Sequence, residues 1–260
     1  MLHSIFKEAP TDINRIDDFE AESQQTLCFR PGNRIMKGLI IADDNLESTV
    51  YSSNAIPPQF ADCDSSTHVD YTLLDHRGNK VISRACDLKT NETFVFDTRH
   101  EELTRPFYGL FLYSMARQNY GSSRFNVCWS NGRSLTSTHE LSPTGRPDVV
   151  IPILVDKNFL AGPNSYFVGL SNPDDRAISF SLCVFDVVTK QELIWRSRLE
   201  PNAVSWINAS EVLFKEAVDW NGSGKYALRI TSTISSLSGA LSVNFFLHNR
   251  LTDIWTSNHI

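Results

Sequence analysis

The chain has 260 residues, 41% of them hydrophobic and 21% charged, with a net charge of −6. That much apolar material supports a packed core and excludes a disordered, collagen-like or coiled-coil chain. The acidic balance argues against a generic nucleic-acid-backbone binder, which needs a basic face, and no apolar run is long enough to span a bilayer as a helix.

Residues 1–34 read as an N-terminal extension. Lys7, Glu8, Asp12 and Asp17 interrupt the apolar stretch that a secretion signal requires. Asn14–Leu27 predicts a short helix in which Ile16, Phe19 and Leu27 are loosely periodic. The five cysteines, Cys28, Cys63, Cys86, Cys128 and Cys183, are scattered and form no CxxC pair. This pattern predicts reduced thiols and a cytoplasmic location.

Residues 35–139 carry the period-two alternation of half-buried strands. Tyr71 and Leu73 share a face, as do Phe125, Val127 and Trp129. Asp75–Asn79 has hairpin-turn chemistry. Glu140–Asp148, with Pro143, Gly145 and Pro147, reads as a linker. Strand alternation resumes in residues 149–260, at Phe180, Leu182, Val184 and Asp186, at Tyr226, Leu228 and Ile230, and at Leu241, Val243 and Phe245. Turn clusters fall at Asn172–Asp175, Val188–Lys190 and Asn221–Gly224. Asn208 or Ser210 is placed to cap a helical turn through Glu211–Val218.

The two halves echo one another at a spacing of roughly 110–120 residues. Asp75 aligns with Asp186, Leu88 with Leu199, Asn91 with Asn202 and Phe96 with Ile207. Phe107–Ser114 matches Lys225–Ser232, and Phe125–Trp129 matches Leu241–Phe245. The string Thr136-Ser137-Thr138-His139 returns as Thr256-Ser257-Asn258-His259. The expected fold is all-β: two tandem antiparallel β-sandwiches, 35–139 and 149–260, from an internal duplication. In this layering the chain resembles immunoglobulin-like and fibronectin-like domains, without the Cys…Trp…Cys spacing of an antibody domain.

Catalytic signatures are thin. Asn221–Lys225 looks like a phosphate loop, but Asp219 and Tyr226 stand where the first Gly and the Ser or Thr belong. There is no GxSxG and no HExxH. Cys63, Asp64 and His68 fall short of a zinc ligand set, and Asp43-Asp44 and Asp174-Asp175 read as solvated loop acids. No metal or other cofactor is expected. The binding candidates are the tryptophans Trp220 and Trp255, expected exposed, and Trp195, flanked by Arg196 and Arg198. The paired His139 and His259 end equivalent strings and complete the set. These features point to a non-catalytic binding protein for a glycan or a protein surface. The alternatives are a structural or assembly subunit of a larger complex, with an oligomer possible, and an enzyme with a site at the inter-domain interface, where His139, Glu140 and Asp148 stand near the linker.

Overall fold

A computed structural model of the chain describes residues 35–54, 66–115, 125–139, 148–156, 158, 162–217, 223–232 and 241–259. The described residues are mostly strand and fall into two compact units, one up to residue 139 and one from 148 onward. The N-terminal extension, with the helix expected over Asn14–Leu27, lies outside the described residues.

The first unit contains β1 (Ile35–Ala42), β2 (Glu47–Ser53), β3 (Thr67–Asp75), β4 (Lys80–Leu88), β5 (Thr93–Asp97), β6 (Phe107–Met115), β7 (Phe125–Ser130) and β8 (Leu135–His139). The second contains β9 (Asp148–Asp156), β10 (Asn164–Ser171), β11 (Ile178–Asp186), β12 (Glu192–Leu199), β13 (Val204–Asn208), β14 (Lys225–Ser232), β15 (Ser242–Asn249) and β16 (Ile254–His259). The second unit forms two antiparallel sheets, β12-β11-β14-β9 and β13-β10-β15-β16. The first runs β4-β3-β6-β1 and β5-β2-β7-β8, joined where Ala42 of β1 pairs with Glu47 of β2. Counted from the first strand of each unit, the order is the same.

This order is not that of an immunoglobulin domain. There the first, second, fourth and fifth strands share a sheet. Here the first strand of each unit lies with its third, fourth and sixth. The resemblance stops at strands arranged in facing layers.

Alternation places one face of each sheet inside. In the second unit, Tyr166, Val168, Leu170, Val243 and Phe245 meet Phe180, Leu182, Val184, Leu228 and Ile230 from the other sheet in one apolar cluster. In the first unit the contacts are aromatic. Tyr71 lies 5.0 Å from Phe94, Phe96 4.7 Å from Phe111, and Tyr113 5.5 Å from Phe125, between ring centroids. Each pair joins one sheet segment to the other.

Strand pairing corrects two details of the sequence match. Gly109 pairs with Asp75 as Tyr226 pairs with Asp186, so Tyr226 is the counterpart of Gly109 and not of Tyr108. A one-residue slip turns every side chain to the opposite face, and the shared Tyr and Ser letters conceal it. Phe125 pairs with Ser52 as Val243 pairs with Leu170, which shifts β15 by two residues and preserves its faces.

Small polar contacts recur in both units. The Ser48 amide donates to Thr98 Oγ1 at 3.0 Å, and the Tyr166 amide donates to Ser210 Oγ at 2.8 Å. The Asn54 amide donates to Glu92 O, and the Asn172 amide to Ala203 O, both at 2.9 Å. Asn91 and Asn202 both adopt the left-handed region, with φ of 64° and 56°, a conformation that asparagine tolerates better than most residues. A helical turn over Ser210–Phe214 continues through Lys215–Ala217. Ala209 holds the cap position without a side-chain cap bond, and the Glu211 amide donates to Asn208 Oδ1, one residue further out, at 3.3 Å.

Candidate functional site

The equivalent sheets β5-β2-β7-β8 and β13-β10-β15-β16 differ in what their outer faces carry. In the second unit, residues alternate out of β10, β13, β15 and β16 as Phe167, Trp206, Phe246, His248 and Trp255. Phe167 stacks on Trp206 at 5.4 Å and 15°, and Trp206 meets Phe246 edge-on at 4.9 Å. Trp255 lies parallel to His248 at 4.2 Å and 9°, and His248 Nε2 sits 3.1 Å from Asp253 Oδ1. Phe246 and Trp255 are only 0% and 3% exposed.

Trp255 is therefore not the exposed ring that its polar neighbours suggest. It is opposite His248 in the ladder, and the ring packs flat on that imidazole. Trp195 also turns away from the role expected of it. On β12 it pairs with Leu182 and packs against the core, while Arg196 and Arg198 point from the opposite face. Trp206 faces outward, because Ile207 takes the core position. His139 pairs with Asn126 and His259 with Asn244, each at a strand end; the backbone alone is described for both. Trp220, Glu140, Cys63 and Asp64 lie outside the described residues.

On the first unit the equivalent face is open. Thr49, Tyr51, Val95, Cys128, Leu135 and Ser137 alternate outward. Tyr51 is 37% exposed, Val95 61% and Leu135 69%. The described charges on this face stand at one end, where Asp97 pairs with Arg99 and Glu47 with Arg105. Thr98 Oγ1 also donates to Glu47 Oε2 at 2.7 Å. Both acids are thus already partnered. Cys128 is buried under this surface, which holds its thiol above the ordinary range despite opposing contacts from Tyr51 and Ser137.

Other titratable groups are committed within the fold. His68 Nδ1 lies 2.7 Å from Asp87 Oδ1 and Nε2 lies 3.3 Å from Asp70 Oδ1. Tyr108 donates to Asp43 Oδ2 at 3.0 Å. Among the described residues no group of three His, Cys, Asp or Glu side chains is placed to hold a metal. No helix among them is long and apolar enough to cross a membrane.

Cys183 sits on the outer face of β11 with Glu192 and Arg229. Its thiol donates to Glu192 Oε2 at 3.5 Å, and Arg229 Nη2 approaches the sulfur at 3.7 Å. Burial and the Glu192 charge push the thiol up to about 12, against the pull of Arg229. A thiol held protonated is a poor nucleophile. Cys183 is expected to resist iodoacetamide in the native protein near neutral pH and to react once the chain is unfolded, as read by peptide mass spectrometry. Fast native labelling would contradict this.

The recurring asparagines escaped the sequence reading as a structural pair. Asn54 Nδ2 donates to Leu88 O and Lys89 O at 3.3 and 3.2 Å. Asn172 Nδ2 serves Leu199 O, Glu200 O and Arg176 O at 3.2, 2.9 and 2.7 Å. Each ties the end of the second strand of its sheet to the end of β4 or β12. The only available signal was an Asn near the end of a strand in both halves, which many turns share.

No family model matches the chain, and no curated protein matches it. Among solved structures, the chain is similar to a calcium-binding mutant of Bacteroides uniformis beta-glucuronidase 2, at 8% identity over 86% of this chain and 26% of that one. The TM-score is 0.19, too low for the likeness to carry an argument about fold or function.

Proposed function

We propose that the chain is a non-catalytic binding protein, built of two tandem β-sandwiches from one duplicated unit, and that it recognises a protein surface. The observation that carries this reading is the outer face of β5-β2-β7-β8, where Tyr51 and Val95 pair side by side and are exposed, away from the row of Glu47. An exposed aromatic beside an aliphatic side chain is the kind of pair that interface cores are enriched in. The duplication is supported by the common strand order and by the equivalent contacts of Asn54 with Asn172 and of Thr98 with Ser210.

Glycan recognition is the weaker reading. Trp255 is enclosed and Trp195 packs on the core, and the outward Trp206 is already stacked on Phe167. A cytoplasmic setting fits the free thiols of Cys86, Cys128 and Cys183.

A photo-crosslinking residue at position 95 tests the proposal in extracts of the source cell. A discrete protein adduct is expected there and not from the same residue at position 251, which is exposed in the β15–β16 turn. No adduct from position 95 would overturn protein recognition by this face. A saturable glycan-induced change in tryptophan fluorescence that Trp220→Ala abolishes would favour the sugar instead.

A further inference from the structure

We infer that residues 1–34 lie back across the outer face of the other sheet of the first unit, β4-β3-β6-β1, and form its cover.

The strand ladder defines that face. Gly38 looks inward, since a Cβ there would meet Val127 and Phe125 of the facing sheet. Leu39 and Ile41 therefore point outward. Pairing sets Leu39, Leu110 and Leu74 in one row. Lys37, Leu112 and Thr72 form the next, and Ile35, Ser114 and Asp70 the third. The outward face of an antiparallel sheet is commonly solvated. Here Leu39, Ile41, Leu74, Leu110 and Leu112 are all 0% exposed. The matching face of the second unit shows the ordinary case. Arg229 stands there in the position of Leu112 and stays partly exposed.

A single chain suffices to enclose these side chains, so the cover is one of its own segments. The cover is also narrow. Ser83 and Ala85 of β4 point from the same face and are exposed. The enclosed part thus spans β3, β6 and β1, about 10 Å between the outer strand axes. One helix is about 10 Å across. Along the strands, from the Ile41 row to the Ile35 row, the face runs about 20 Å.

Residues 1–34 meet these dimensions. The helix expected over Asn14–Leu27 is about 21 Å long at about 1.5 Å per residue. Ile16, Phe19 and Leu27 fall on one side of it. Asp17 and Asp18 beside them carry the charge that complements Lys37 on this face, where Asp70 is engaged by His68. The extension ends at Ile35, the first residue of β1, and β1 itself supplies Leu39 and Ile41. From Leu27 to Ile35 the chain reaches up to about 26 Å, and Pro31-Gly32 is a turn-forming pair placed to reverse it. So short a tether keeps the segment at high effective concentration over the face. The connecting stretches fit less well. Residues 116–124 have Tyr120 as their one large apolar side chain, and residues 55–65, which leave from β2 in the facing sheet, contain two adjacent prolines.

Photo-crosslinking within the full chain tests this. With the reactive residue at position 19 or 27, an intramolecular adduct to residues 35–42 or 107–115 is expected, read by peptide mass spectrometry of the monomer. Phe19→Asp combined with Leu27→Asp should raise the fluorescence of a bound apolar dye at least about twofold. Gln24→Asp combined with Gln25→Asp puts the same charge on polar positions and should leave the dye signal unchanged. Circular dichroism establishes that each variant is folded. Should the Phe19→Asp, Leu27→Asp chain unfold, the crosslinks in the otherwise unaltered chain decide. No adduct from either position, or adducts only to other residues, overturns the inference. So does a folded Phe19→Asp, Leu27→Asp chain that binds no more dye than the wild type. The result at position 95 bears on the other sheet and leaves this one untouched.

Discussion

Replacing Asn172 by alanine is expected to destabilise the second unit by about 3 kcal/mol, measured as the shift of its unfolding transition in denaturant. The side chain is fully enclosed. Its amide group is shared among three backbone carbonyls, and its Oδ1 accepts the Asp174 amide at 3.0 Å. Alanine removes all of these at once. The cost falls mainly on the buried bond to Leu199 O, because the Arg176 and Glu200 carbonyls lie nearer solvent and Glu200 O keeps the Ala203 amide. Asn172→Asp does not rescue the site, because it exchanges two N–H donors for a negative charge facing carbonyl oxygens. Asn54→Ala should cost less, about 2 kcal/mol, since its two donated bonds are longer. A loss under about 1 kcal/mol for Asn172→Ala would show that the loop relaxes and that the clamp contributes little.

That clamp also marks the boundary of what the sequence makes legible. Strand faces are readable because alternation is a property of neighbouring residues. Phe180, Leu182 and Val184, or Val243 and Phe245, announce their side by spacing alone, and the core contains them. The recurrence of Asp75 and Asp186, or Asn91 and Asn202, is visible for a related reason. Each takes part in a tight turn, where a few adjacent residues set the geometry. Asn172 differs. Its partners are backbone carbonyls, two of them 27 and 28 residues away, and a carbonyl has no letter in the sequence. Inside Asn172-Pro173-Asp174-Asp175 it looks like an ordinary turn residue.

The tryptophans fail to read clearly for another reason. A polar neighbourhood in sequence says little about enclosure, because alternating neighbours point to opposite sides of the sheet. Arg196 and Arg198 are beside Trp195 in the chain and across the sheet from it in space. Trp255 is flanked by Ile254 and Thr256, yet its ring meets His248 on the neighbouring β15 and Phe167 on β10 beyond it. The open face of the first unit was missed because no single residue distinguishes it. It emerges when the pairing of β2 with β5 sets Tyr51 beside Val95 and both are seen to be exposed.

Asp186→Asn is expected to cost about 2 kcal/mol at neutral pH and to flatten the acid limb of the second unit's stability profile. Asp186 ends β11 and is fully enclosed. Burial alone would raise its pKa. Against that, Oδ1 accepts the Thr189 and Val188 amides at 2.8 and 2.9 Å, Ser223 Oγ donates to the carboxylate at 2.9 Å, and the Ser223 amide donates to Oδ2. The donors prevail, and the carboxyl is held below the ordinary carboxylate value. The sign of the pH effect follows. The unfolded chain takes up the proton at a higher pH than the folded one. The contribution is therefore complete above the unfolded value, about 3.9 for an aspartate, and is lost as pH falls through the lower folded value. Asparagine keeps one acceptor oxygen but turns an NH₂ toward groups that are themselves donors, and it has no charge to lose. The gap between wild type and variant should thus be widest near neutrality and narrow as the solution is acidified. Asp75 holds the matching turn through Arg77 and Asn79 and also lies below its ordinary value, but it is partly exposed. Solvent weakens those bonds, so Asp75→Asn should show the same direction with a smaller amplitude. Urea unfolding repeated down the acid range separates the outcomes. A wild-type-to-Asp186→Asn difference that stays constant with pH would mean the turn is held by the shape of the side chain and not by its charge.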